Sequence, residues 1–496
     1  MNSEVFRTKY NNILAKYGIN EKFSPECIKQ KSALTGGRFF EQKSRRVDLR
    51  GKTVFTVSVT EELTSECAFS IEKNDDGSYL LGIHIADVAE HIPYSSPVDA
   101  EAARRAKKCV FPDKVIGMIP ERLEKEDCVF TLNKESAAVT VFLNIDENGD
   151  PNSIELAETI IKPCENCLTA EIEALYTIFD PSAITTIKQK YNAVLPSIQL
   201  LFELGGLLFS KKEEHGGTDY DPATISMKLS KDKESVEKIY SFKQNDAQRI
   251  IREFTSFAGW QLSKLFIDIG IPCHFRVRGG ILPEKKDYLL DSLKKFGIDC
   301  NNIADNDLCA FIANKAHCSD NEDLIFRLLN DCLHKAEYSS EPNPHSLLGY
   351  DSYLRFAFPV YRYADLCIQR IMKEIIKCHG NYAQLNMELI SEYTQAALKS
   401  SDKQLVQVKT AEYQIKAIYL LNYFNNRKND KFSGTVYYNS NNEAFVFLDN
   451  TCYGKLKTVA DREYVFGERI NVYVVDADSD KISLTFEEIN VSRGTF

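Results

Sequence analysis

The apolar residues change period along the chain, and that change limits the fold more than any other feature. In residues 52–95, TVFTVSV alternates, KNDDGS is a turn and YLLGIHIADV is a nearly continuous apolar run. That is the pattern of strands joined by turns. VTVFLNI, DENGD and SIELAETII repeat strand, turn and strand. From about residue 185 to 428 the period becomes helical. Ala247, Ile250, Ile251, Phe254, Phe257, Ala258, Leu262 and Leu265 follow the three-four spacing of one helix face. A second helix follows Pro359 and carries Leu366, Ile368, Ile371, Met372 and Ile375, and a third, from Ser400 to Tyr423, is polar at its start. After NNRKND come FSGTVYY, EAFVFLD, YGKLK, INVYVVDA and KISLTF. Five short strands in about 65 residues predict a small closed barrel of the OB type. The expected fold class is therefore α+β, a mixed sheet surrounded by helices and then a five-stranded barrel. The expected divisions are a helical extension at 1–45, a central domain at 46–428 and the barrel at 429–496.

Composition narrows the function classes. With 44% hydrophobic and 27% charged residues in a 496-residue chain, disordered, collagenous and coiled-coil classes are excluded. The net charge of −10 excludes a uniformly basic surface but allows a basic channel inside an acidic shell. No apolar window reaches the length of a membrane span, and the amino-terminal residues lack the apolar core of a secretory signal. The expectation is a cytoplasmic protein with no membrane contact, its 14 cysteines held as thiols. Cys164 and Cys167 form the one C-x-x-C, without two further ligands at similar spacing, and read as free thiols rather than a zinc site.

Several longer motifs, in order, resemble the RNB family of bacterial RNase II and RNase R, which are 3′→5′ exoribonucleases. RRVDLRGKTVFTV is similar to the entry into that family's first core strand, and LLGIHIADVAEHIPYSSPVDAEAARRA to its A-I-A-D-V segment and following helix. FPDKVIGMIPERL, NDAQRIIREFTSFA and RFAFPVYRYADLCIQR resemble L-P-D-x-V-x-P-M-L-P-E-x-L, D-A-H-x-L-I-E-E-F-M-x-x-A and H-F-T-S-P-I-R-R-Y-x-D-L-x-x-H-R. The resemblance covers almost the whole chain and implies an RNB domain at 46–428 followed by an RNA-binding-type OB domain. The family's amino-terminal cold-shock domains are expected to be absent, since residues 1–45 are too short to hold them.

The resemblance also locates a chemical loss. The family hydrolyses phosphodiesters with two Mg²⁺ ions held by four aspartates, in T-I-D and, five residues on, D-x-D-D. Those positions fall on Ser58, Thr64, Glu66 and Cys67. Mg²⁺ takes hard oxygen ligands and dehydrates reluctantly; Glu66 is one weak candidate ligand, and a thiolate at Cys67 is too soft to help. Glu61 and Glu62 lie nearby but off the spacing and read as solvated loop charges. The arginine that stabilises the scissile phosphate falls on Tyr361, while Arg362 and Arg370 match surviving arginines and Gln369 replaces a histidine. A base-stacking tyrosine falls on Val110, or on Phe111 after a one-residue slip.

For RNA binding, cations contact phosphates and aromatics stack bases. The candidates are Arg276, Arg278, Arg355, Arg362 and Arg370, with Glu253 and Glu412 matching family glutamates along the RNA path. Arg104, Arg105, Lys107 and Lys108 read as a solvated helix face. The barrel, with 7 basic and 11 acidic residues over 430–496, reads as a weakened RNA clamp or a surface for a protein partner. Its Phe445 and Phe447 alternate along a strand and read as core. The expectation is a monomeric, catalytically degenerate RNB protein that binds single-stranded RNA without a cofactor. The alternatives are an active exoribonuclease using Mg²⁺ or Mn²⁺ through a divergent loop, and a protein–protein scaffold.

Overall fold

A computed structural model of the chain describes residues 3–34, 45–59, 64–438, 441–457 and 462–489. The segments read as strands supply five members of one seven-stranded sheet, and two short edge strands that the sequence pattern did not mark complete it. Its members are β1 (Val47–Asp48), β2 (Phe55–Ser58), β3 (Cys67–Lys73), β4 (Tyr79–Ala86), β5 (Ser136–Ile145), β6 (Pro151–Ile161) and β7 (Glu165–Leu168). The order is β1-β6-β5-β4-β3-β2-β7, antiparallel throughout except for the parallel edge pairs β1–β6 and β7–β2. Leu81, Ile83 and Ile85 of β4 face the core opposite Leu143, Val141 and Val139 of β5 and are fully buried. The DENGD turn closes β5–β6 with Gly149 at φ 88°, which favours glycine.

Helices cover the sheet. Helix α1 (Ser3–Lys16) packs against a late helix, its Phe6 ring 4.8 Å from that of Tyr419. Helix α2 is Pro97–Arg105, and α3 is Leu195–Glu214. Helix α4 (Asp246–Ile269) begins with a capping box between Asn245 and Gln248 and stops at Gly270, φ 77°. Its Ala247, Phe254, Phe257, Ala258 and Leu262 are buried as the spacing predicts. A short strand β8 (Phe275–Val277) leads to α5 (Pro283–Lys294), α6 (Leu308–His317) and α7 (Glu322–Cys332), which share a separate apolar cluster. Helix α8 (Tyr363–Lys377) follows, then Met387–Lys399, a π turn at Ser400–Gln404 and α9 (Leu405–Asn425). The stretch read as wholly helical also contains a β-hairpin, Thr224–Leu229 with Val236–Phe242. No single helix among the described residues is long and apolar enough to cross a membrane.

The barrel is closed as expected by β9 (Phe432–Tyr438), β10 (Ala444–Leu448), β11 (Tyr453–Leu456), β12 (Arg469–Asp478) and β13 (Ser483–Glu488). Its interior holds Val436, Val446, Leu448, Leu456, Val472, Val474 and Phe486. Phe445 and Phe447 are therefore not barrel core: they occupy the outer face of β10 and pack towards α5–α7. Period two fixes the alternation of a strand but not its phase, and a one-residue shift exchanges the faces.

Candidate functional site

Strands β2 and β3 run side by side and bring together positions that match the family's metal-binding aspartates. Ser58 and Thr56 both donate their hydroxyls to Asn166 Oδ1, at 2.7 and 2.8 Å. Cys67 is buried, and burial followed by the Glu66 charge raises its thiol pKa, so it stays protonated. Thr64 enters a two-residue strand paired with Phe130–Thr131; Glu61 and Glu62 lie outside the described residues. Glu66 points at the loop bearing Tyr361, and its Oε2 accepts from the Val360 amide at 2.8 Å. Removal from water pushes its carboxyl up to about 7, against the opposing pull of Lys108, the Val360 amide and Arg362. The donor set is one half-neutral carboxyl, a neutral thiol and an occupied hydroxyl. These residues do not fit a Mg²⁺ pair, which needs clustered ionised carboxylates.

The described residues contain one group of three carboxylates close enough to share a cation: Asp87, Glu90 and Glu158. Protein cations already fill it. Arg46 donates to Asp87 at 2.6 Å, and Lys373 Nζ lies 2.5 Å from Asp87, 2.6 Å from Glu158 and 3.0 Å from Glu90.

Tyr361 sits where the backbones of 107–108 and 361–362 meet. Its hydroxyl is 3.4 Å from Lys107 Nζ, which in turn pairs with Glu412 at 2.7 Å. Glu412 also accepts from the Val110 amide at 2.8 Å. Val110 is exposed, and Phe111 is buried beside Tyr10.

Several expected RNA contacts are instead fold supports. Arg370 is 4% exposed and donates to Asp99 at 2.6 Å and to the Ile92 carbonyl. Glu253 is 3% exposed and accepts from buried Lys212 at 2.6 Å. Arg362 makes two hydrogen bonds to Asp365, at 2.7 and 2.5 Å, which hold the entry to α8. Gln369, in the histidine's place, accepts from the Ala89 amide and donates to the Ala86 carbonyl, stitching α8 to the end of β4. The 104–108 segment is not a solvated helix face either. Its helix stops at Arg105, which is buried against Glu101 and the Gly117 carbonyl, and Lys108 pairs with Glu124 at 2.5 Å.

What remains is a knot of positive charge between β8, α9 and the loop before Pro359. Arg276 is 5% exposed, its guanidinium lies 4.9 Å from the Tyr338 ring, and its Nε has no hydrogen-bond partner. Burial and then Arg355 push Arg276 down to about 10. Lys409 is pushed down to about 8 by loss of solvent and then by Arg276, Arg355 and Lys107, with Glu412 opposing. Among the described residues, none of Arg276, Arg355 and Lys409 has an acidic partner within ion-pair distance. Arg278 continues the line outward, half-buried and hydrogen-bonded to Asn330. Lys409 was not among the residues singled out from the sequence, and Lys107, a candidate there, read as part of a solvated helix face. Their neighbours come from β8 and the Arg355 loop, and no local pattern announces that meeting.

A seven-stranded mixed sheet, a helical surround and a terminal closed barrel form the architecture around this site. The chain belongs to the RNB family: residues 46–378 match the RNB domain. It is 26% identical to ribonuclease R of Aquifex aeolicus over 464 residues, which is 92% of this chain and 64% of that protein. The chain thus spans less than two thirds of that relative. Among solved structures, Mycoplasma genitalium RNase R in complex with ribose-methylated single-stranded RNA superposes with a TM-score of 0.84. The identity is 17%, covering 98% of this chain and 78% of that one. Yeast Ssd1, a pseudonuclease, superposes with a TM-score of 0.64 at 17% identity, covering 94% of this chain and 55% of that one.

Proposed function

We propose that this protein binds single-stranded RNA through the Arg276–Arg355–Lys409 knot and does not hydrolyse it. The observation that carries the reading is the pairing of two features around Arg362, whose charge acts on both Glu66 and Arg276. The acidic positions hold Ser58, Glu66 and Cys67, hydrogen-bonded or protonated. Beside them stand three cations without acidic partners, one of them buried with a free Nε. A desolvated guanidinium without a counter-charge is costly, and a phosphate oxygen supplies both the charge and the acceptor. Removing one charge-stabilising group from an active site commonly costs roughly 100–1,000-fold in rate. Here Tyr361 replaces the phosphate-binding arginine and most of the acids are gone. The test is titration of labelled single-stranded RNA at increasing salt. Binding should weaken with salt, and Arg355→Gln should flatten the slope by about 0.7 log units, one single-strand phosphate contact. Salt-insensitive binding, or none, would favour the scaffold alternative.

A further inference from the structure

The seven-stranded sheet has one edge that its own strands leave mostly open. Strand β6 runs for 11 residues, Pro151–Ile161, and its outer neighbour β1 pairs only with Thr159 and Ile160. The Leu49 amide donates to the Ile160 carbonyl at 2.9 Å, so Ile160 turns its peptide groups outward. Peptide groups alternate in direction along a strand, and the register of β6 with β5 is unbroken from Ser153 to Ile161. Leu156 and Ile154 therefore also turn theirs outward, beyond the end of β1. Among the described residues neither has a hydrogen-bond partner on that side.

The open stretch borders a cavity of about 1090 Å³, walled by β6 residues 154–158 and by the end of α8 with the chain that follows it. Helix α8 stops at Lys377, and the chain turns through His379 and Gly380, at φ 47° and 81°. Tyr382, just beyond that turn, lines the cavity, as do Leu265 and Ile376. Tyr94 and Tyr393 meet edge to face in its wall, their rings 4.9 Å apart. Ile154 and Leu156 lie on the same face of the sheet as Glu158, which pairs with Lys373 of α8 at 2.6 Å. Side chains on that face therefore look towards α8. On the opposite face Glu155 is exposed and makes no ion pair among the described residues.

We propose that the β6 edge is a docking site for an extended segment of a partner protein, which adds to the seven strands as an eighth. An open strand edge selects its occupant by backbone geometry, because only an extended chain places donors and acceptors at its spacing. The cavity receives the alternate side chains of the added strand that turn towards α8, and apolar or aromatic ones match Leu156, Ile376 and Tyr382. A lysine or arginine opposite Glu155 completes the match, since opposite charges on neighbouring strands attract. From Ile154 to Glu158 the edge is about 13 Å long at roughly 3.3 Å per residue, so the contact takes about five residues of the partner and is a small, reversible one. The inference is independent of the RNA reading.

Residue-resolved hydrogen exchange and fluorescence anisotropy on the whole chain test it. In the free protein the Ile154 and Leu156 amides should exchange at least about tenfold faster than those of Ala157 and Thr159, which face β5. The probe is a labelled eight-residue peptide alternating valine and threonine around one central lysine. It should bind and slow both edge amides. N-methylation of its odd or its even amides should give one peptide that still binds and one that binds about tenfold more weakly, because only one set faces β6. Glu155→Lys, at an exposed position, should weaken the lysine peptide about threefold and favour a peptide with glutamate in its place. No binding by the unmodified peptide, equal affinity of the two methylated peptides, or protected edge amides in the free monomer would each overturn the inference. Protection that rises with protein concentration, together with dimers in sedimentation, would make a second copy of the chain the occupant and overturn the partner reading.

Discussion

Glu66→Gln should stabilise this protein at alkaline pH and leave it almost unchanged at acidic pH. The Glu66 carboxyl has an ordinary value of 4.5 and is pushed up to about 7 in the fold. The folded chain therefore keeps this proton to a higher pH than the unfolded chain does. Between about 4.5 and 7 the native state binds more protons, so stability falls as pH rises through that window. Each unit corresponds to 1.36 kcal/mol, which gives at most about 3 kcal/mol above pH 7. The side chain is half-buried, and contact with solvent reduces this to about 2 kcal/mol. Glutamine cannot ionise, and its carbonyl can still accept from the Val360 amide. The assay is a pair of thermal melts from pH 5 to pH 8. The melting temperature of Glu66→Gln minus that of the wild type should grow by about 2 °C across that range, since the unfolding entropy of a chain this long is about 1 kcal/mol/K. A difference independent of pH would show that Glu66 is ionised without penalty, and the reasoning about this degenerate acid would be refuted.

Other substitutions separate fold support from function. Arg370→Ala leaves Asp99 buried without its partner and should cost about 3–5 kcal/mol, read as a lower melting temperature, with RNA affinity below the transition unchanged. Arg362→Ala should likewise lower the melting temperature by stranding Asp365, which is fully buried; a loss of RNA affinity with no loss of stability would return Arg362 to the channel. Placing aspartate at 58, 64 and 67 together should create calorimetrically detectable Mg²⁺ binding that the wild type lacks, and a silent triple variant would mean that the loop is misaligned. Thiol labelling of the native protein at pH 8 should modify Cys164 and Cys318, the exposed cysteines, ahead of Cys67 and Cys128, which burial keeps protonated; fast labelling of Cys67 would show an open metal cleft.

Much of the fold was legible because its signals are local. The capping box at Asn245, the DENGD turn and the five short carboxy-terminal strands each lie within a few residues. The residues standing at the family's acidic positions were legible for the same reason, since Ser58 through Cys67 lie close together in the sequence. Roles set by distant partners were not. Arg370 finds Asp99 across 271 residues, and Glu253 finds Lys212 across 41. Neither separation leaves a periodic trace, so a motif match alone placed both along an RNA path. Lys409 shows the reverse case. It looks like one more lysine on a polar helix start and acquires its character only where Arg276 and Arg355 arrive. Phe445 was misread through strand phase rather than strand type, and the turn to the outer face is what leaves it packed towards α5–α7.

A protein that holds RNA without cutting it is distinguished from a nuclease by incubating the purified chain with 3′-tailed, labelled single-stranded RNA in Mg²⁺ and then in Mn²⁺, following mobility shift and strand length in the same samples. A salt-sensitive shift with full-length RNA recovered in both metals is the predicted result. A ladder of short products that EDTA abolishes would contradict it and establish an exoribonuclease with a divergent metal loop.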